Sequence, residues 1–441
     1  MIQAPVAATT GCPGRPPLDA ERLRADFPLL LRADGHGRRL AYLDNASSSQ
    51  KPTAVLDAVG DHYRASNANI PRGVYELSEW ATAAYEGARR RVAGLIGADP
   101  RACVFVRNAT EAINLVAYAW GRRNVQPGDL IVATAMDHHS NLVPWQMLAE
   151  DRGAELACVR VLADGRLDLG HLDALLARGP KLVAFPHVNN ALGVVNDAAA
   201  IARRAKRAGA TVLLDAAQSA PHLPLDVRAL GCDFLAVSGH KMLAPTGTGI
   251  LWGRLELLEA MPPFMGGDGT IDRVDLTRAT WAPPPERFEA GTPAIAEAVG
   301  LGAAVAYLEG IGLDRVAAHG HALAEAARAR LAAIPGVILH GPADPAARSG
   351  VVAFTLAGTQ PRDVAGVLDG AGVAVRAGQH CCQPLLRALG LPSLVRASFY
   401  LYNTEEDVER LAAGVEQARR VLAPRAVVVA EPCGGRRRTV A

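Results

Sequence analysis

The chain has 441 residues, a formal net charge of +2, half of its residues hydrophobic and a fifth charged. That length exceeds one small domain, and that composition supports a sizeable core, which excludes a disordered chain. The near-balanced charge gives no pointer to nucleic acid or an acidic membrane surface, and no apolar run approaches the ~18 residues a membrane span needs.

Residues 1–17 are rich in Pro, Gly, Ala and Thr and lack the basic-then-apolar pattern of a secretory signal. A short helix is expected over 19–27 and a short strand over 40–43, running into Asp44. Helical periodicity marks 53–65 and 77–96. Strands and helices then alternate: strand 104–106 and helix 112–120, strand 130–133 and helix 141–152, strand 182–185 and helix 197–208. Strands 212–214 and 234–237 follow. Such alternation predicts an α/β domain with a mainly parallel sheet. An Ala-rich helix over 294–308 leads to a second part. There a helix over 315–334, strands 337–339 and 351–356, a helix over 361–371, a strand over 373–376 and a closing helix over 404–422 read as a smaller α+β domain. The expected division is a flexible N-terminus 1–18, a segment 19–39 joining the small domain, a large domain 40–309, a small domain 310–422 and a flexible tail 423–441.

The seven cysteines, Cys12, Cys103, Cys158, Cys232, Cys381, Cys382 and Cys433, are odd in number and include no CxxC pair with zinc spacing. A reducing, cytoplasmic setting is expected rather than a disulfide framework.

Several residues stand where chemistry is done. Asp215 ends an apolar strand, and functional groups of a buried sheet sit at the carboxyl ends of strands. A carboxylate there needs a cation. In a pyridoxal 5′-phosphate (PLP) site that cation is the protonated pyridine nitrogen; otherwise Asp215 caps the next helix. Lys241 follows the strand 234–237 in Ser238-Gly239-His240-Lys241. A desolvated lysine has a lowered pKa that suits it to hold PLP as a Schiff base and later to act as base, whereas a surface lysine does neither. Arg107-Asn108-Ala109-Thr110-Glu111 joins a strand to a helix. It reads either as a phosphate cradle, with Ser238 and His240 adding contacts, or as a plain helix cap. His138 and His139 lack a third metal ligand, so a ring stacked on a flat cofactor is the better functional reading; a structural role is the alternative for His139. Cys381 lies on a polar loop, Arg376 to Cys382, close in sequence to the cations that favour a thiolate. It is either a nucleophile or a packed thiol.

Together these segments resemble the class V aminotransferase family and, within it, the Suf-type (group II) cysteine desulfurases. The resemblance runs from about Tyr42 to Leu422. Its landmarks are Tyr42 to Ala46, Arg72-Gly73, Ala109-Thr110-Glu111, Asp137 to Asn141, His187 to Asn190, Asp215 to Gln218, Ser238 to Lys241, Phe288 to Pro293, Arg376 to Cys381 and Arg396-Ala397-Ser398. It implies PLP fold type I, with PLP held by Lys241. His138 would stack on the ring, Asp215 would pair with its nitrogen and Gln218 would meet its oxygen. Thr110, Ser238 and His240 would hold the phosphate, and Thr292 would reach the phosphate of the other subunit of a homodimer with shared sites. Arg396 would bind the substrate carboxylate, Asn190 and Arg376 would line the pocket, and Cys381 would be the nucleophile. The implied reaction converts L-cysteine to L-alanine, leaves a persulfide on Cys381 and passes sulfur to an acceptor protein, for iron–sulfur cluster assembly or another sulfur pathway.

Pro71 replaces the family's histidine before Arg-Gly, Cys382 replaces a small residue, and Ser47-Ser48-Ser49 is richer in hydroxyls than usual. Cys382 is either a resolving thiol or a packed neighbour. Alternative readings are a selenocysteine lyase, a C–S lyase or an aminotransferase on the same fold, a non-catalytic subunit, and, weakest, a metalloenzyme built on His138, His139 and the cysteines.

Overall fold

The runs at Leu130–Thr134, Leu182–Pro186 and Phe234–Ser238 show almost no polar alternation, as strands covered on both faces require, and each is buried along its length. The computed structural model, which describes residues 17–33 and 37–422, gathers them into a seven-stranded sheet. The first strand in the chain, β1 (Ala41–Tyr42), lies outside that sheet. Its members are β2 (Cys103–Val106), β3 (Leu130–Thr134), β4 (Glu155–Val159), β5 (Leu182–Pro186), β6 (Thr211–Asp215), β7 (Phe234–Ser238) and β8 (Gly249–Gly253). They are arranged β2-β8-β7-β6-β5-β3-β4, and only β8 runs against the rest. Helices cover the faces. In Ala198–Arg207 the buried positions Ala198, Ile201, Ala202 and Ala205 form one stripe, Asp197 caps the first turn, and basic residues fill the last turn, where the helix end is negative.

A hairpin, β9 (Ile271–Val274) and β10 (Ala279–Trp281), stands apart. A second, antiparallel sheet has the order β11-β12-β15-β14, from β11 (Val337–His340), β12 (Val351–Leu356), β14 (Arg376–Gly378) and β15 (Leu394–Ser398). Between them β13 (Val373–Ala374) pairs in parallel with β1. Each sheet has its own large hydrophobic core. The helix Leu313–Ala332 joins them, burying Leu313 and Val316 in the larger core and Leu323, Ala327 and Leu331 in the smaller. Ala41 and Leu43 belong to the smaller core, because β1 pairs with β13.

Some elements differ from the sequence reading. The helix expected over 112–120 starts earlier, at Ala109, because the Asn108 side chain accepts from the Glu111 N–H. It passes into a π turn at Val116–Gly121. The strand expected over 373–376 is two strands with different partners, β13 and β14. The sequence reading has no counterpart of strands β4, β8, β9, β10 and β15. Among the described residues no single helix is long and apolar enough to cross a membrane. Apart from Pro17 and Leu18, the expected flexible ends lie outside the described residues.

Candidate active site

The floor of the site is made by the ends of β6 and β7. Asp215 closes β6, and its Oδ1 accepts from the Ala217 N–H at 2.9 Å. Among the described residues it has no ion-pair partner, and burial pushes its carboxyl pKa up. After β7 the chain enters a short 3₁₀ turn, Gly239–Lys241. The His240 carbonyl pins this turn. It accepts from the Ser49 N–H at 3.1 Å, the Ser48 and Ser49 hydroxyls at 3.2 Å and the Lys51 ammonium at 3.0 Å. Burial lowers Lys51 to about 8. Lys241 itself has no hydrogen bond among the described residues. Burial lowers its pKa, the Asp215 carboxylate opposes that, and the Arg396 guanidinium adds to it. Lys241, Asp215 and Arg396 therefore lie within electrostatic reach of one another.

The turn at the head of β2 completes one side of the site. Ser238 Oγ accepts from the Ala109 N–H at 2.9 Å, which leaves its own proton for an anion. Strand β8 passes close beneath: a Cβ on Gly249 would lie 2.5 Å from the Val237 carbonyl oxygen and 2.8 Å from Asn108 Cα, so only glycine fits there. The Thr110 hydroxyl meets the Ser140 hydroxyl at 2.7 Å, and that hydroxyl lies 3.0 Å from His138 Nδ1. The Ser140 N–H also donates to His138 Nδ1 at 3.1 Å, so Nδ1 is an acceptor and the neutral ring carries its proton on Nε2. Burial, with Lys241 nearby, lowers His138 to about 4. Buried Asp137 holds this loop through Thr134 and Asn141. Gln218 donates to the Ala46 carbonyl at 2.7 Å, and burial and Lys241 lower His240 to about 4.

The opposite wall comes from the second sheet. Arg396 on β15 is 2 % exposed and stands in register with exposed Arg376 on β14. Its guanidinium donates to the Asn190 carbonyl at 2.7 Å, to Ser47 Oγ at 2.6 Å and to Asp44 Oδ1 at 3.1 Å. Asp44 Oδ2 accepts from Arg376 at 3.0 Å. Arg396 Nε is buried without a hydrogen-bond partner among the described residues. Cys381 is exposed on the rim, and both it and His380 hold left-handed backbone, at φ 54° and 51°. The Cys381 carbonyl accepts from the His139 N–H at 2.8 Å, and the Asn190 side chain donates to the His380 carbonyl at 2.7 Å. His139 Nε2 accepts from the Gln383 N–H at 3.3 Å, so His139 serves the cysteine loop. Cys382 is fully buried, and burial pushes its thiol up to about 12. That environment fits the packed reading of Cys382 rather than the resolving one.

Thr292 is the exception. It lines a cleft of about 410 Å³ with Arg72, Glu86 and Asp268, a lining that includes none of the residues above. No metal centre is built: among the described residues no three His, Cys, Asp or Glu side chains are grouped to hold an ion. Asp44, Ser47, Lys51 and Ser140 hold the site together and drew no role from the sequence. The one available signal was the run of hydroxyls at 47–49.

A family profile described as aminotransferase class-V matches residues 41–411. The chain belongs to that family. It is 49 % identical over 407 residues to a probable cysteine desulfurase of Streptomyces coelicolor, covering 91 % of this chain and 97 % of that relative. A solved apo cysteine desulfurase from Thermococcus onnurineus NA1 superposes with a TM-score of 0.88 at 40 % identity, covering 92 % of this chain and all of the other. A cysteine desulfurase from Escherichia coli, solved with an S-sulfonic acid, gives 0.85 at 38 %, covering 92 % and 99 %. The large mainly parallel sheet with its smaller partner is the fold type I arrangement, and the cofactor of the enzyme is PLP. The site's chemistry fits that group. Asp215 is a buried carboxylate that wants a cation, Lys241 is an amine of depressed basicity, and Ser238 keeps a free donor.

Proposed function

We propose that the enzyme is a cysteine desulfurase of the Suf type, which converts L-cysteine to L-alanine and carries the sulfur as a persulfide on Cys381. The observation that carries this reading is the exposed Cys381 thiol, fixed by Asn190 and His139 within electrostatic reach of Lys241. An aminotransferase has no use for such a thiol.

Each residue then has a task. Asp215 would pair with the pyridine nitrogen and keep it protonated, and the neutral His138 ring would stack on the cofactor. Thr110, Ser238 and His240 would hold the phosphate, and Gln218 would meet the ring oxygen. When bound, PLP supplies an electron sink for the pair left at Cα. The Lys241 amine, its basicity lowered by burial, takes the Cα proton. Arg396, through its unpartnered Nε, and Arg376 receive the substrate carboxylate, and Asn190 lines the pocket beside them. The Cys381 thiolate attacks the substrate sulfur; the S–S bond forms as the Cβ–S bond breaks, Cβ takes up a proton, and Lys241 returns its proton to Cα to give alanine.

The reading extends to a homodimer, in which Thr292 reaches the partner's phosphate, and to a sulfur-acceptor protein that feeds iron–sulfur cluster assembly or another sulfur pathway. A cytoplasmic setting is supported by the free thiols of Cys103, Cys158, Cys232, Cys381 and Cys382. A large domain over 40–309 and a small one over 310–422 fit the two cores in outline, although Ala41 and Leu43 pack in the smaller core and Phe27, Leu30, Leu313 and Val316 in the larger.

The test compares wild type with Cys381→Ser, given L-cysteine. Alanine is quantified with dithiothreitol present, and one added sulfur is sought on the Cys381 peptide by mass spectrometry in a parallel sample without reductant. Loss of the covalent nucleophile should lower alanine release by about 100-fold and abolish the persulfide, with the PLP absorbance intact. Wild-type alanine release from Cys381→Ser would remove Cys381 from the mechanism.

A further inference from the structure

Cys382 adjoins the nucleophile but turns its side chain away from it. Cys381 is exposed, whereas Cys382 is fully buried beneath the turn. Its Sγ lies 2.9 Å from Asn190 Oδ1. The turn above is strained, because two successive residues other than glycine hold left-handed backbone. Such conformations persist only where the surroundings over-determine them. Here the His380 ring, with Nε2 3.2 Å from the Leu394 carbonyl, anchors one side, and three bonds hold the backbone. The His139 N–H donates to the Cys381 carbonyl at 2.8 Å, the Cys382 N–H to the Gln379 carbonyl at 2.9 Å, and Asn190 Nδ2 to the His380 carbonyl at 2.7 Å.

The Asn190 bond depends on which way the amide faces. A carboxamide turned by 180° would set its oxygen against the His380 carbonyl, and two acceptors repel. A donor on the far side selects the working orientation, and the Cys382 S–H is that donor. Burial keeps the thiol protonated, so the hydrogen stays on sulfur. Asn190 also accepts the Arg396 guanidinium on its backbone carbonyl at 2.7 Å, so the same residue ties the nucleophile turn to the carboxylate-binding arginine.

We propose that Cys382 is a positioning residue: its S–H fixes the Asn190 amide, and through it holds the His380–Cys381 turn over the substrate. The proposal rests on Cys381 being the nucleophile. It differs from a resolving or relay role, in which the Cys382 sulfur itself would take up the sulfur or pair with Cys381. That role requires the sulfur to leave Asn190 for the surface.

Cys382→Ala removes the donor and keeps the backbone; Cys382→Ser keeps a donor but can carry no sulfur. Both are made as PLP-loaded enzyme beside Cys381→Ser. For each, kcat and KM for L-cysteine are measured, with the rate at which iodoacetamide labels Cys381 in the absence of substrate. Losing one buried hydrogen bond that sets a reacting group should lower kcat about tenfold in Cys382→Ala, while KM stays within about twofold, the cofactor absorbance is unchanged and the labelling rate shifts. Cys382→Ser should return kcat to within about twofold of wild type, since a hydroxyl replaces the thiol donor. The proposal is overturned if Cys382→Ala matches wild type, or if Cys382→Ser falls as far as Cys382→Ala. The second result would make the sulfur atom itself the functional element. Turnover by Cys381→Ser would instead defeat the nucleophile reading, so the two failures are distinguishable.

Discussion

Lys241 and Cys381 stand on two differently built supports. Lys241 follows a strand buried along its length, on a turn whose carbonyl is pinned by Ser48, Ser49 and Lys51. Cys381 sits on exposed left-handed backbone and is held by His139 and Asn190, both from the larger sheet's side of the site. The floor is largely buried, which suits an amine of lowered basicity and a carboxylate that must keep a cation. The rim is accessible, which suits a thiol that must meet substrate inside and then hand sulfur to something outside. The two tasks conflict, and placing them on separate sheets lets each be met.

The sharpest way to break this comparison is to remove the floor and ask whether the rim notices. Lys241→Ala takes away the base for the Cα proton, and alanine release should fall by about a thousandfold. Iodoacetamide labelling of Cys381 in that variant should match wild type when both are cofactor-free. A changed labelling rate would show that floor and rim are one unit.

Asp215→Asn probes the floor more gently. An amide cannot hold a pyridinium as a carboxylate does, so kcat should fall by about 100-fold. The cofactor-free protein should melt no earlier than wild type, because burial disfavours the carboxylate charge and an asparagine oxygen still accepts from Ala217. Earlier melting, read by calorimetry, would mean that Asp215 is primarily structural.

How much of this was legible in the sequence follows the same division. The floor could be read locally: uninterrupted apolar strands ending in Asp215 and running into Lys241 state both the parallel sheet and the sites at its strand ends. Strand β8 was hidden because its bracketing glycines look like a loop, whereas Gly249 is there to let the strand approach Asn108. Strand β15 was hidden because Arg396 interrupts its apolar pattern, and its burial makes sense only with Asp44, Ser47 and Asn190 around it. The rim could not be read locally. Asn190 and Cys382 are 192 positions apart, and His139 meets Cys381 across a still longer stretch of chain. Local residues left Cys381 as either a nucleophile or a packed thiol, the family resemblance decided for the nucleophile, and the resemblance alone pointed to Arg396 as carboxylate binder.

Acid should separate floor from rim by stability. Burial holds His138, His187, His222, His240 and His380 at about 4, below the ordinary histidine value. Between pH 6.5 and 4 the unfolded chain binds the extra protons, so stability falls as pH falls through that window and is flat from this source above it. Each histidine contributes a slope of up to about 1.4 kcal/mol per pH unit. His138, His187 and His240 belong to the floor, and His380 to the rim. Urea midpoints at pH 7.5, 6, 5 and 4.5 should therefore drop steeply for wild type and almost as steeply for His380→Gln. An unchanged midpoint from pH 7.5 to 5 would mean that water reaches the floor.

The smallest effect belongs where the two supports meet. Ser47 Oγ accepts from Arg396 and donates to Asp44, both at 2.6 Å. In Ser47→Ala, Arg396 keeps its bonds to Asp44 and Asn190, so the guanidinium stays in place but is less firmly oriented. One lost hydrogen bond at a group with other partners should raise KM for L-cysteine about threefold, with kcat nearly unchanged, since the carboxylate is bound alike before and during reaction. A fall in kcat with KM unchanged would reverse the reading. The hydroxyl would then act through Arg396 and Asn190 on the Cys381 turn, and the substrate-carboxylate site and the nucleophile would be coupled across the two sheets.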